Sequence, residues 1–435
     1  RGLRTEIDAI NGAIVDEAEP HGIEVPLNWG IVRFMKSRER QVLRRMQRAS
    51  ETVKAVKKSQ VEVLIRATPR AGHGGMPEGR VPLECAPKLK ELMAEHYRDL
   101  GRAARDPDTH VVWSSGLGPV EVVRALGLTP YFPENHSALI AASRQAGQYI
   151  RRALAVGFSP LASTAMTADV GANLAGESPL VALYDIEGPP APEALVYNTA
   201  YAETLRPWFE FFGRRFGVPV TGLHPPTVFA EVDHLDVEIV VSQVQRLTEE
   251  LEGLFGRKLD IDRLAEVVAL SHAASTKWAE IVDLARNVPS PLTYFDMLVH
   301  LAPMVLMRGT PAAVEYYSIL AAELEQRVAT RQAAVPGERF RFYWEGPPIW
   351  CALRPLSTLL VENGIAVVNS PYSRIFTLEG LDADNPVESM ARCYAGIFPN
   401  RSTTAASSLA SMTLWVGFNA LPRRVGTNRH RARRG

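Results

Sequence analysis

Residues 110–132 read HVVWSSGLGPVEVVRALGLTPYF: a β-branched and aromatic run, a Gly/Pro turn, a helical pattern and a second short β-type run. A strand that reaches the next strand through a helix cannot close as a hairpin. The connection is a crossover, so the two strands lie parallel in one sheet with the helix on its face. The order recurs. ALVYN (194–198), a helix pattern over 201–216 and VPVTGL (218–223) repeat it. So do RFRFYW (339–344), the loop EGPPIW, a helix over 351–363 and IAVVN (365–369). Between these units, from about 232 to 333, only helical periodicity is seen. The predicted fold class is α/β: two Rossmann-like or flavodoxin-like parallel-sheet lobes with N-terminal and inter-lobe helical segments. The expected divisions are a helical N-terminal region over 1–87, a first α/β lobe over 88–231, a helical insert over 232–335 and a second α/β lobe over 336–435. That last lobe is expected to be incomplete at its C-terminus, leaving a sheet edge that favours pairing or aggregation.

At 435 residues and 46% hydrophobic, the chain can bury sizeable cores. Lys+Arg and Asp+Glu balance at 48 each, so no global field draws it to nucleic acid or to an anionic membrane. Its most apolar long window, TYFDMLVHLAPMVLM (293–307), carries Asp296, His300 and Pro303 and is too short to span a bilayer. Cys85, Cys351 and Cys393 stand far apart, without metal-ligand spacing. Sparse thiols and the lack of a signal-peptide pattern point to a reducing cytoplasm. The chain opens on Arg1 and closes on an Arg-rich tail, so a fragment or a processed product is expected.

Ligands of open α/β sheets bind beyond the carboxyl ends of the strands, where loops enter helices. In SSGLGP, Ser114 or Ser115 can cap the next helix and Pro119 suits its first turn; a tight turn explains the glycines equally well. In YNTAYAE, Asn198 and Thr199 stand at a helix entrance, where capping is the plain alternative. Gly346 in EGPPIW permits close backbone approach. Glu134 and His136 in YFPENHS follow a strand end, so either can move a proton; first-turn electrostatics accounts for Glu134 as well. His224 in GLHPP is similarly placed, and His73 sits alone in a Gly/Pro-rich loop. The loop GFSPLASTAMTAD (157–169) has the position of a ligand-holding loop but carries neither Cys nor His. No nucleophile elbow, Walker loop, HExxH or GxGxxG is present.

Taken in order, several segments are similar to one family. WSSGLGPVEVVRALGLTPYFPE (113–134), the hydroxyl-rich loop after GF at 157–158 and PPAPEALVYNTAYAETLRPWFEFFGRRFGVPV (189–220) carry the first part. LEGLFGRKLDIDRLAEVV (251–268) and RFYWEGPPIWCALRPLSTLLVENGIAVVNS (341–370) carry the rest. Over about 88–402 the chain resembles the 2-hydroxyacyl-CoA dehydratase and benzoyl-CoA reductase family. The resemblance implies a pair of related α/β subunits, each able to hold a 4Fe-4S cluster through three cysteines. It implies an ATP-hydrolysing iron–sulfur activator protein that delivers one electron. The acyl-CoA or aryl-CoA substrate then becomes a ketyl-type radical, which loses a 2-hydroxyl or is reduced in its ring.

On that resemblance the first thiolate belongs in GFSPLASTAMTAD, where this chain has Ser163, Thr164, Ala165 and Met166. The second belongs just after ALVYN, where Ala200 stands; the third lies beyond a helix like 403–417. Hydroxyl and methyl groups do not replace thiolates, and Cys351 and Cys393 are read as buried structural thiols. The expectation is therefore a cluster-less partner subunit, or an altered member of the family. Ser114, Ser115 and Glu134 are expected to meet the substrate, with Asn198 and Gly346 shaping the facing side. The rival is a non-catalytic, cytosolic, two-lobed binding or scaffold protein. A Rossmann-type nucleotide enzyme is a weaker third reading.

Overall fold

β1 (Val111–Ser114), β2 (Thr129–Tyr131), β3 (Ala194–Asn198) and β4 (Val220–Leu223) pair in parallel in the order β2-β1-β3-β4. The chain leaves β1 to one side to form β2 and returns past it to form β3. The loops after β1 and β3 therefore diverge, and a crevice opens between them at the carboxyl ends of the strands. Every residue of β1 and of β3 is buried, so both read as continuous apolar runs rather than alternating ones. Trp113 anchors this sheet: its indole donates to the Pro190 carbonyl at 2.9 Å, and its ring packs on Tyr131 and Phe212.

The computed structural model describes residues 81–228 and 231–397. The chain divides into two compact units, Arg1–Gly75 and Met76–Gly435, and every described residue lies in the second. The predicted helices within 1–68, His73, the helix pattern over 403–417, the Arg-rich tail and the completeness of the last lobe all lie outside the described residues.

The insert is helical as predicted, with its long members at His234–Phe255, Ile261–Leu284 and Pro311–Ala329. Sequence sets their starts. The Asp233 carboxylate accepts the Asp236 N–H at 2.9 Å while Asp236 returns the bond to Asp233, and Asp260 accepts the Asp262 N–H at 2.9 Å. Downstream, β5 (Phe340–Tyr343) and β6 (Ile365–Asn369) form a parallel pair with an irregularity at Phe342/Tyr343. One continuous apolar cluster joins Trp113 of the first sheet, Trp278 and Tyr317 of the insert, and Val368 of β6.

The helix predicted over 201–216 begins only at Leu205. Tyr201 stays in the turn after β3, where its hydroxyl serves the site described below. Elsewhere, the helices Ala146–Ala155 and Thr164–Ala175 pack so closely that a Cβ on Gly171 would collide with the Tyr149 carbonyl oxygen. Gly171→Ala is expected to cost about 3 kcal/mol by overpacking, read as a lower guanidinium midpoint with an unchanged circular-dichroism spectrum.

Candidate active site

The loop after β1 is tied to the loop after β3 by its own polar groups. Ser115 Oγ accepts the Asn198 N–H at 3.2 Å, and the Asn198 side chain donates to the Leu117 carbonyl at 3.1 Å. The same Asn198 accepts the Ala200 N–H at 3.0 Å, and Ser114 Oγ donates to the Ser115 carbonyl at 3.1 Å. Ser114, Ser115 and Asn198 are fully buried. Their polar atoms are engaged within the loops.

A buried ion pair supports the loop from beneath. Arg308 reaches up from the helical insert: Nε meets Glu121 Oε1 at 2.8 Å, Nη1 the Gly116 carbonyl at 3.0 Å and Nη2 the Gly118 carbonyl at 2.9 Å. Ser271 donates to Glu121 at 2.7 Å, and the Tyr394 hydroxyl donates to its other oxygen. Burial works to raise the Glu121 carboxyl, but the Arg308 charge and these hydrogen bonds outweigh it and hold the group below the usual carboxylate range. Sequence reading passed over both partners. The signals were an acid flanked by valines in VEVV and an arginine closing the apolar run MVLM.

Glu134 stands in the first turn of the helix Pro133–Ala142, whose opening proline suits the fixed φ of that position. Gly116 N–H and Tyr201 O–H both donate to its Oε2, each at 2.6 Å, which leaves Oε1 for a ligand. Burial pushes the Glu134 carboxyl up, and those two hydrogen bonds recover only part of the shift. It therefore stays protonated to higher pH than an ordinary carboxyl group.

Glu134 lines a cavity of about 530 Å³ that draws on the helix Ala86–Ala103, the loop after β1, the insert and the segments on either side of β6. Met93, Leu298, Val305, Trp350 and Phe376 supply apolar walls. Tyr372 lines it too, its phenol pushed up by burial and secondarily by the Glu134 charge. Among the described residues lining this space, Glu134 is the one carboxylate and Lys90 the one cation.

The other candidates fall elsewhere. Gly346 adopts φ +97° in the loop after β5, four residues before Trp350, and among the described residues nothing comes within 4 Å of where its Cβ would lie. Glycine there serves the left-handed backbone and not a close approach within the protein. His136 is buried on another side of the Glu134 helix, and His224 lies at the end of β4 beside Tyr197 and Thr199. Cys393 is buried as expected. Cys351 is not: it is exposed in a 3₁₀ turn, because the following helix starts only at Leu353.

The family model described as 2-hydroxyglutaryl-CoA dehydratase, D-component, matches residues 117–412. The chain belongs to that D-component family. A second model, the C terminal region of ketopantoate reductase PanE/ApbA, matches residues 1–39. The chain is 27% identical over 314 residues to the (R)-phenyllactyl-CoA dehydratase alpha subunit of Clostridium sporogenes, covering 70% of this chain and 75% of that protein. It is 28% identical over 336 residues to a subunit of the benzoyl-CoA reductase of Thauera aromatica, covering 72% and 75%. The (R)-2-hydroxyglutaryl-CoA dehydratase alpha subunit of Acidaminococcus fermentans is 25% identical over 357 residues, covering 66% and 75%. These matches favour the dehydratase and reductase reading over the two-lobed scaffold.

Among the described residues of the D-component chain, no donor set fits an iron–sulfur cluster. Ser163 caps the helix Thr164–Ala175 through the Met166 N–H, Thr164 faces solvent, and Ala200 is buried without a polar side chain. Burial, reinforced by the nearby Glu323 carboxylate, pushes the Cys85 thiol up to about 12. Burial and Glu121 push Cys393 up to about 12 as well. Both thiols are held protonated, the opposite of what cluster ligation needs. No group of three or more His, Cys, Asp or Glu that could hold a metal ion exists among the described residues. No helix there is long and apolar enough to cross a membrane.

Proposed function

We propose that this chain is a subunit of a 2-hydroxyacyl-CoA dehydratase-like or benzoyl-CoA reductase-like assembly. In this reading its 530 Å³ cavity receives the acyl or aryl part of a CoA thioester, and Glu134 moves a proton there. The observation that carries the reading is one raised carboxyl, the one carboxylate on the wall of a largely apolar cavity, beside the loop that follows β1. Apolar walls bind a hydrocarbon chain or ring by removing its surface from water, at about 25 cal/mol per Å². They also exclude water from the reacting carbons. A neutral Glu134 can protonate an oxygen that is leaving as water, or a carbonyl oxygen that gains charge, and can later take the proton back. Gly116 N–H and Tyr201 O–H then stabilise the carboxylate that remains. Ser114, Ser115 and Asn198 keep that loop in register, and Gly346 turns the segment that brings in Trp350.

Because the thiolate positions here are Ser163, Thr164 and Ala200, the reading assigns the 4Fe-4S cluster to a homologous second subunit. An ATP-dependent iron–sulfur activator protein would supply the electron to that subunit. The names of the alpha-subunit relatives support the pairing. Free Cys85, Cys351 and Cys393 agree with a reducing cytoplasm.

Two measurements test this reading. Benzoyl-CoA titrated into the full chain is expected to quench tryptophan fluorescence saturably, where CoA alone does not, and Leu298→Trp is expected to weaken the binding at least about tenfold by filling the cavity. No saturable binding would remove the cavity from the reading. Anaerobic iron and sulfide reconstitution is expected to leave the chain colourless; a stoichiometric brown cluster would overturn the assignment of the cluster to the partner.

A further inference from the structure

The geometry points to a second reactive centre, apart from the Glu134 cavity: Ser178, His136 and Asp169 form a serine–histidine–carboxylate relay built to transfer the acyl group of a small neutral ester or thioester to water. His136 Nδ1 lies 2.5 Å from Asp169 Oδ1, and His136 Nε2 lies 2.8 Å from Ser178 Oγ. The other carboxylate oxygen, Asp169 Oδ2, accepts the Trp208 indole N–H at 3.0 Å. Histidine and aspartate are almost wholly buried, while Ser178 is only half-buried.

The direction of each hydrogen bond follows from its neighbours. With Asp169 as acceptor, Nδ1 of the neutral imidazole carries its proton and Nε2 keeps its lone pair. Ser178 Oγ already accepts the Leu180 N–H at 3.2 Å, so its own hydrogen is free to point at Nε2. Proton donation thus runs one way, from Leu180 through Ser178 to His136 and from His136 to Asp169. That is the polarity in which a histidine can withdraw the hydroxyl proton.

All three residues line a separate cavity of about 380 Å³, floored in part by Gly176 and Gly188. Ser178 pairs with the buried Nε2 and itself lines the cavity. Glu134 and His136 share one helix but stand two residues apart, so they face different sides and different cavities. The rim carries Arg105 against Glu177 and Glu187, a balance that disfavours an anionic acyl group.

The step balances with water as the only co-reactant. Ser178 Oγ attacks the acyl carbon and its proton passes to His136 Nε2. The bond to the alcohol or thiol breaks and that group leaves with the proton from His136. Water, deprotonated by His136, then cleaves the acyl–Ser178 ester, releases the carboxylic acid and restores the hydroxyl.

The test uses the full chain with a fluorophosphonate probe and with p-nitrophenyl acetate. Stoichiometric labelling that maps to Ser178, with hydrolysis reduced about 100-fold or more in Ser178→Ala, is expected. Asp169→Asn is expected to reduce labelling strongly while the probe still maps to the same serine. Ser178→Ala takes a partner from His136 Nε2 and the Leu180 N–H, so its melt is expected to fall slightly while its circular-dichroism spectrum matches the parent, and a loss of reactivity is then not ascribed to unfolding. Labelling elsewhere, no labelling, or hydrolysis unchanged in Ser178→Ala would overturn the proposal. None of these outcomes depends on whether a CoA thioester binds beside Glu134.

Discussion

Arg308→Ala is expected to lower the unfolding free energy of the chain by about 3–5 kcal/mol, because it strands a carboxylate with no exposure to water. Arg308→Ala also takes the guanidinium donors from the Gly116 and Gly118 carbonyls, of which Gly118 keeps the Val120 N–H. The pH dependence has a defined sign. Glu121 is held below its ordinary value of 4.5 in the folded chain. The stability it contributes is therefore full above that ordinary value and is lost as the pH falls through the lowered one. In Arg308→Ala this acid sensitivity should reverse, since a lone buried carboxyl folds best when protonated. Guanidinium titrations at two pH values measure both effects. The double change Glu121→Met with Arg308→Met is expected to recover much of the loss, because it removes both charges together.

Glu134→Gln is expected to leave the fold intact and to lower turnover by the assembled enzyme by about 10²–10⁴-fold, the range of a lost proton-transfer group. The amide oxygen can still accept from Gly116 N–H and Tyr201 O–H, so the loop keeps its place. The sign of the pH effect is opposite to that of Glu121. A carboxyl raised by burial contributes stability that is fully present below its ordinary value of 4.5 and is lost as pH rises through the raised one. Glu134→Gln should then be as stable as the parent in acid and more stable once the pH has passed the raised value. A turnover rate that declines with rising pH in the parent, and whose decline vanishes in the variant, would tie the proton to this residue. Unchanged turnover in Glu134→Gln would remove it from the reaction.

Much of the architecture was legible in local pattern. β3 and β6 lie on the predicted residues 194–198 and 365–369, because a strand buried on both faces reads as an unbroken apolar run between polar or proline stops. The start of the helix after β3 was harder, since the Tyr201–Thr204 turn carries nothing that forbids helix. Glu134 could be singled out by its place after a strand end. Its environment could not, because Met93, Leu298, Trp350 and Phe376 meet only in three dimensions. Arg308 lay hidden for the same reason, since its loop partner Gly116 is 192 residues away. The relay of Ser178, His136 and Asp169 brings together two neighbouring helices and the turn that follows them, and only distances reveal it.

That long-range tie bears on how this architecture can be recombined. The helical stretch after residue 231 is no detachable module, since it houses the guanidinium that neutralises Glu121. A chimera that borrows the stretch from a relative must import an arginine at the same spot or discard the acid it neutralises. Shuffling at that seam would otherwise yield hybrids that fail in the loop and helix after β1 of the recipient, far from the junction itself.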